Sequence, residues 1–236
     1  MNFKLSLIFL LLSTISYSQI NSISVGESFK QFANNAGNIS NSLATFTLKE
    51  DTEGSPYLMK SWAEGQVVLK TKQVFTEPEN LMNYDKVNNR IILKISDTKI
   101  VDVNMEQIES FILFDSSTSF KFRAIPEKSG EFFIELYRDS SFTLYKTIET
   151  RFYRADYTNK GLYESGHKFD RYVDNYTYYI KPSNGTLVTV KNLTKKGLKQ
   201  LSEAIPQART FIDSNNPESD TDAYLTKLTM SLSKHS

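Results

Sequence analysis

The sequence predicts an α+β protein, mainly antiparallel β, in which a curved or roll-like meander sheet is followed by two or three C-terminal helices. Two observations predict the sheet: short runs of alternating apolar and polar residues recur over residues 67–153, and turn residues separate them. Strands this close in sequence leave no room for crossover helices, so they pair antiparallel. The third observation predicts the helices, because apolar residues after Thr194 recur at three- and four-residue steps. Strands first and helices last are typical of an α+β domain.

Residues 1–18 are predicted to be a secretory signal peptide. A basic n-region precedes the apolar run at residues 5–12, and Ser16 and Ser18 supply the small residues of a cleavage site. The apolar run is shorter than the roughly 20 residues of a membrane-spanning helix. The alternative is an uncleaved anchor. Cleavage makes Gln19 the first mature residue and places the protein in the periplasm or outside the cell, and a chain without cysteine cannot be a lipoprotein.

The predicted mature chain carries no net charge. The full sequence has 28 Lys and Arg against 27 Asp and Glu, and residues 1–18 contain one lysine and no acid. A neutral chain gives no reason to expect nucleic acid or an anionic membrane as a partner. No later apolar stretch is long enough to form a transmembrane segment in the mature chain. An exported chain without cysteine has no disulfides, so its fold depends on burial.

The mature chain divides into three predicted parts. Residues 19–52 are rich in Asn, Ser, Thr and Gly, and we expect a poorly ordered polar extension with one edge strand. Residues 53–215 are predicted to form the antiparallel β domain with packed C-terminal helices. Residues 216–236 are predicted to form a terminal helix and tail.

The C-terminal helices are predicted from their caps and spacing. Thr194 is the predicted N-cap of the first helix, and Pro206 is predicted to split the apolar pattern into two short helices. Residues 219–222 offer caps for the last helix. Its buried face is predicted to contain Leu225, Leu228 and Leu232.

Several motifs resemble those of a known group of proteins. They are GSPYLMKSWAEGQVVLK (54–70), LMNYDKVNNRIILKI (81–95), ESFILF (109–114), FYRADY (152–157), YTYYI (176–180) and LTKKGLKQL (193–201). Over residues 54 to about 215 the chain resembles a family of uncharacterised secreted proteins, of unknown function, from Bacteroidetes-type bacteria. The resemblance implies export and the fold given above. It implies no activity, because the family has none assigned.

Tyr57 and Trp62 are the candidate ligand-binding residues. Aromatic side chains with a polar atom suit a stacking platform for a sugar or a peptide. The alternative is that both rings pack as a lid over one end of the sheet. A single tryptophan in the turn before the first strand favours the lid.

Other residue types that carry chemistry lack the necessary pattern. His167, Asp170 and Asp174 have a spacing that suits a metal only on a helix, and this segment is predicted to be a loop. Ser165 lies two residues from His167, without the G-x-S-x-G elbow of a hydrolase. A carboxylate pair for glycoside cleavage stays open, because spacing in sequence does not reveal it. We expect no catalytic residue, no cofactor and no metal.

The sequence therefore favours a non-enzymatic binding or structural module of the cell envelope or exterior, with an unknown partner there. One alternative is a carboxylate-dependent hydrolase, and a second is an envelope carrier of a hydrophobic ligand. Lys195, Lys196 and Lys199 form a small basic patch that we interpret as a solvated helix face.

The cleavage site gives the first testable prediction. Signal peptidase cleaves after a small side chain. The exported protein should therefore begin at Gln19, cyclised to pyroglutamate. Intact-mass measurement and N-terminal peptide mapping of the protein from its native host check this. A mature protein that retains Met1 contradicts it.

Overall fold

The computed structural model describes residues 28–36, 38–40, 51–76, 78–159, 161 and 163–234. The predicted cleavage site at Ser18 and Gln19 lies outside the described residues. Among the helices of the described residues, none is long and apolar enough to cross a membrane.

Within these residues the chain forms fifteen β-strands and four α-helices. The strands are β1 (Asn38–Ser40), β2 (Thr52–Glu53), β3 (Glu64–Leu69), β4 (Val74–Phe75), β5 (Met82–Asp85), β6 (Arg90–Ser96), β7 (Lys99–Asp102), β8 (Ile108–Phe114), β9 (Ser119–Ala124), β10 (Phe132–Arg138), β11 (Phe142–Tyr153), β12 (Thr158–Asn159), β13 (Glu164–Ser165), β14 (Asp170–Pro182) and β15 (Val188–Val190). The helices are α1 (Phe29–Ala36), α2 (Lys195–Ala204), α3 (Ala208–Ser214) and α4 (Thr221–Ser233), with a 3-10 turn at Met105–Gln107. The protein is mostly β-sheet with helices at its C-terminal end, as the sequence predicts.

The strands form two main sheets. The large sheet has the order β15-β14-β11-β10-β9-β8-β3-β4, and β2 joins β14 in parallel. The small sheet has the order β1-β7-β6-β5. The strands of residues 67–153 therefore do not all follow one another in a single sheet, because β5, β6 and β7 leave it to form the second. Strand β6 buries Ile91, Ile92 and Leu93 in succession. It therefore does not have the one solvent-exposed face that its alternating pattern predicts.

One face of the large sheet, which we call the inner face, is covered by two separate layers. Cross-strand partners lie on the same face, and the register Phe111, Phe122, Ile134, Lys146 and Tyr178 follows the inner face across five strands. The small sheet and α1 cover its β3 end. Helices α2, α3 and α4 cover its β15 end.

Helix α1 changes the expectation for residues 19–52. We expected a poorly ordered extension, yet Phe29 and Ala33 are fully buried in the core of the small-sheet layer. The rings of Phe29 and Phe75 lie 5.1 Å apart. Phe29, Phe32 and Ala33 lie on one side of the helix, which gives it a narrow apolar face.

The C-terminal helices confirm their predicted caps. Thr194 accepts a hydrogen bond from the Gly197 N–H at the start of α2, and Asp220 accepts one from the Ala223 N–H at the start of α4. Pro206 lies between α2 and α3. The buried face of α4 contains Leu225, Leu228 and Leu232.

Asn83 joins the two sheets. It lies on β5 and is fully buried, and its Oδ1 accepts a hydrogen bond from the Met59 N–H at 3.0 Å. Its Nδ2 donates to the carbonyl oxygens of Met59 at 2.9 Å and Ser61 at 3.0 Å. These residues lead directly into β3 of the large sheet. The Asn83 amide therefore fixes the small sheet to the entry of the large one.

This joint gives the second prediction. Asn83→Asp keeps the shape of the side chain and removes both amide donors. The carbonyl groups of Met59 and Ser61 then lose these hydrogen bonds, and a charge is buried. We expect a loss of at least the roughly 1–3 kcal/mol that an unsatisfied buried polar group costs. Chemical denaturation measures it. Gln207→Glu, at an exposed position beside the start of α3, is the control and should change stability by less than about 0.5 kcal/mol. Equal stability of the two variants contradicts the proposed role.

Candidate functional site

Tyr57 and Trp62 are both partly buried, and each has different described surroundings. Tyr57 is partly buried and bridges Asp85 of β5 through the backbone. Burial, followed by the charge of Asp85, raises the pKa of the Tyr57 hydroxyl. Trp62 is also partly buried and lines a depression of about 460 Å³ with Leu81 and Phe114, but Tyr57 is not among the described residues that line it.

The candidate metal residues are engaged separately. The Asp170 carboxylate accepts the Ala155 N–H at 2.8 Å. The Asp174 carboxylate accepts the ammonium of Lys86 at 2.7 Å. Across the described residues, no group of three or more His, Cys, Asp or Glu side chains is arranged to hold a metal ion.

The buried carboxylate of Asp85 and the partly buried carboxylate of Asp102 share Arg90. The Arg90 guanidinium lies 2.6 Å from Asp102 and 3.4 Å from Asp85. Asp85 also accepts the N–H groups of Val87 and Asn88 in the β5–β6 turn. Burial raises the pKa of Asp102, although Arg90 opposes this. The carboxylate oxygens are thus already committed to the turn and to the arginine, which is a structural arrangement.

The face of the large sheet opposite the inner face, the outer face, carries a basic groove. Its register runs through Ser110, Arg123 and Phe133. The groove has a volume of about 610 Å³, and Tyr145 and Ile125 are buried beneath it. Six basic side chains line it, which are Lys70, Lys72, Arg123, Lys128, Arg138 and Lys181. We call this surface the outer groove.

Glu135 positions two of the groove arginines. Its carboxylate is nearly buried and accepts hydrogen bonds from Arg123 at 3.2 Å and from Arg138 at 3.1 Å. Burial by itself would raise the pKa of Glu135, but a hydrogen bond from Lys121 and the three positive charges outweigh it and lower the pKa. Glu135 is therefore ionised at neutral pH and holds both guanidinium groups at the groove.

The positive charge of the outer groove is only partly balanced. Glu109 pairs with Lys72 at 2.5 Å and with Arg123 at 3.8 Å. Glu127 pairs with Lys181. Lys70 and Lys128 are exposed, and neither forms an ion pair with a described residue. Two cations therefore face the groove without a carboxylate.

The groove also contains an unusual backbone conformation. Lys72 adopts φ +71° in the turn between β3 and β4, a region that residues with a Cβ rarely occupy. The Lys72 N–H donates to the Leu69 carbonyl at 2.9 Å, which closes the turn. The turn places Lys72 beside Glu109 at the edge of the groove.

Sequence reasoning missed the outer groove. Its basic residues lie far apart in sequence, in the β3–β4 turn, β9, the β9–β10 loop, β10 and β14. No local motif therefore joins them. The only local signal was the pair Lys121 and Arg123 on one face of β9. The basic patch that the sequence did mark, at Lys195, Lys196 and Lys199, lies exposed on α2.

The fold and the outer groove define a mostly β protein with C-terminal helices and a basic concave surface. No protein-family model, no curated protein and no solved structure matches this chain. The function must therefore be argued from the site itself.

The partial burial of Trp62 gives the third prediction. Because its ring is neither enclosed nor free, Trp62→Ala should cost about half of the roughly 3–5 kcal/mol lost with a fully buried aromatic ring. Chemical denaturation measures this, and iodide quenching of the single tryptophan should be intermediate. Tyr163→Ala removes an aromatic side chain that is 79% exposed and should change stability by less than about 0.5 kcal/mol. A Trp62→Ala protein as stable as this control contradicts the partial packing.

Proposed function

We propose that the protein is an exported, non-enzymatic binding module of the cell envelope or exterior, and that the outer groove binds a ligand through its carboxylate, sulfate or phosphate groups. The observation that carries the proposal is the excess of positive charge in the groove. Lys70 and Lys128 face it without an ion pair to any described residue, while Glu135 holds Arg123 and Arg138 in place.

The chemistry of the groove fits anion recognition. Guanidinium groups fixed by a carboxylate lose little conformational freedom when they donate to an anion. A concave surface lined by one sign of charge raises the local concentration of the opposite ion. The overall neutrality of the chain does not oppose this, because the field near the groove is set by its own residues.

The size of the groove suits a ligand larger than a simple ion. Its volume of about 610 Å³ lies within the roughly 300–1,000 Å³ of small-molecule sites. A second depression of about 630 Å³ shares Lys70, Ser129 and Gly130 with it. An extended acidic ligand, such as a charged glycan chain, would reach both.

A binding role is favoured over catalysis by the groups present. The titratable groups that line the groove are basic except for Glu109 and Tyr145. Glu109 is paired with Lys72, and burial raises the pKa of Tyr145, which keeps its hydroxyl protonated at neutral pH so that it cannot act as a general base. The predicted signal peptide and the resemblance to secreted proteins support the proposed export.

Heparin-affinity chromatography and calorimetry with polygalacturonate and inorganic phosphate test the proposal. These probes present sulfate, carboxylate and phosphate groups, respectively. We expect binding to at least one, weakened by salt because exposed charges are screened. The double variant Lys70→Ala/Lys128→Ala should bind at least about ten-fold more weakly, which is a loss of about 1.4 kcal/mol.

The control is Lys195→Ala/Lys196→Ala, which removes the same charge from exposed positions on α2. It should bind as the unaltered protein does. An equal loss in both double variants would mean that net charge alone drives binding, and the outer groove would not be the site. No binding to any of the three probes also contradicts the proposal.

A further inference from the structure

Strand β11 has one edge that is only partly paired. On the β14 side, all twelve residues of β11 have partners, from Phe142 to Tyr153. On the β10 side, the pairing ends at Lys146, which lies opposite Ile134. From residue 147 to residue 153, no strand among the described residues pairs with this edge. The N–H and C=O groups along such an edge are a ready template for another strand.

The edge is also accessible. Strands β10 and β11 diverge after Lys146, and a cleft of about 360 Å³ opens between Phe132 on one side and Thr147 and Ile148 on the other. The side chain of Glu149 is 63% exposed and that of Arg151 is 60% exposed. Phe152 is exposed too, although its ring contacts Tyr172.

The unpaired segment, residues 148–152 with the sequence IETRF, is complementary to itself, although within the chain Thr150 is buried and Ile148 packs against the core. In an antiparallel pair centred on Thr150, Glu149 lies opposite Arg151 of the partner subunit. Ile148 lies opposite Phe152 of the partner subunit, and Thr150 lies opposite its own copy. Opposite charges and apolar pairs are cross-strand combinations that stabilise antiparallel sheets, whereas the buried Thr150 hydroxyl donates to Asp174 and contributes no such pair.

We propose that residues 148–152 of β11 pair with the same residues of a second copy of this chain, which makes a symmetric dimer with one continuous sheet. A two-fold axis that is perpendicular to the sheet and lies midway between the two copies of Thr150 relates the subunits. The inner faces of both subunits then lie on the same side of the continuous sheet, as do the outer faces. Glu149 and Arg151 therefore meet on the outer face. Ile148 and Phe152 meet on the inner face.

The charges select one register. A shift of the centre to Glu149 places two glutamates opposite each other, and a shift to Arg151 does the same with two arginines. Like charges directly opposite one another destabilise a strand pair. Charged residues on an edge usually prevent strand pairing. Here their alternating signs prevent the shifted registers and favour the one centred on Thr150.

Charge reversal tests this proposal. Sedimentation velocity of the mature chain over a concentration series should show a monomer–dimer equilibrium. Glu149→Arg and Arg151→Glu should each abolish the dimer, because each places like charges opposite one another. The double variant Glu149→Arg/Arg151→Glu restores opposite charges and should restore the dimer. Within the chain, Glu149 and Arg151 pair with each other at the surface, and a surface pair contributes little stability, so we expect circular dichroism of all three variants to match the unaltered protein.

The matched control reverses a second exposed pair. Lys199 and Glu203 lie 3.9 Å apart on α2, away from β11, and Lys199→Glu and Glu203→Arg should leave the dimer unchanged. Hydrogen exchange provides an independent readout, since the amides of residues 147–153 should exchange more slowly at high protein concentration. An unaltered protein that stays monomeric overturns the proposal. Single variants that dimerise normally, or a double variant that stays monomeric, also overturn it.

Discussion

The buried amide of Asn83 fixes the small sheet to the large one, and the rest of the structure depends on that connection. The small sheet covers one end of the inner face, and its β5 edge meets the segment that enters β3 through backbone bridges and through this side chain. In a chain without disulfides, that connection cannot be replaced by a covalent one. The amide is suited to the position because it supplies both donors and an acceptor, and a buried polar group stabilises only when it is satisfied.

The two layers on the inner face are separated by a polar seam. Lys86, in the β5–β6 turn, is nearly buried and pairs with Asp174 of β14. Lys146 pairs with Asp222 of α4 at 2.7 Å and lies 4.4 Å from the centre of the Tyr176 ring. Each layer is thus fixed to the long β11–β14 hairpin by an ion pair of its own. Partly buried pairs of this kind add little net stability, but they penalise any other placement of the layers, which gives specificity.

The parts of the fold that were predictable from sequence are those encoded locally. Helix α4 was predictable because Asp220 and the leucines at 225, 228 and 232 all lie within one short segment. The departure of β5, β6 and β7 into a second sheet was not, because a period of two indicates a strand without indicating which sheet it joins. Helix α1 was missed because only two large apolar side chains, Phe29 and Phe32, mark it, and its other apolar residues are alanines. The outer groove was missed for a third reason: its cations come together only through strand register, and the near balance of charge over the whole sequence conceals them.

The two proposals are independent, yet their geometry is related. The outer groove lies on the outer face, and the proposed two-fold axis is perpendicular to the sheet, so both grooves of a dimer face the same direction. A small ligand gains nothing from this arrangement. An acidic polymer that occupies one groove is held close to the other, and the second contact then forms at a high effective concentration. Dimer formation at β11 would therefore strengthen binding to polymeric anions and leave binding to single anions unchanged, which separates the effect of assembly from that of the groove.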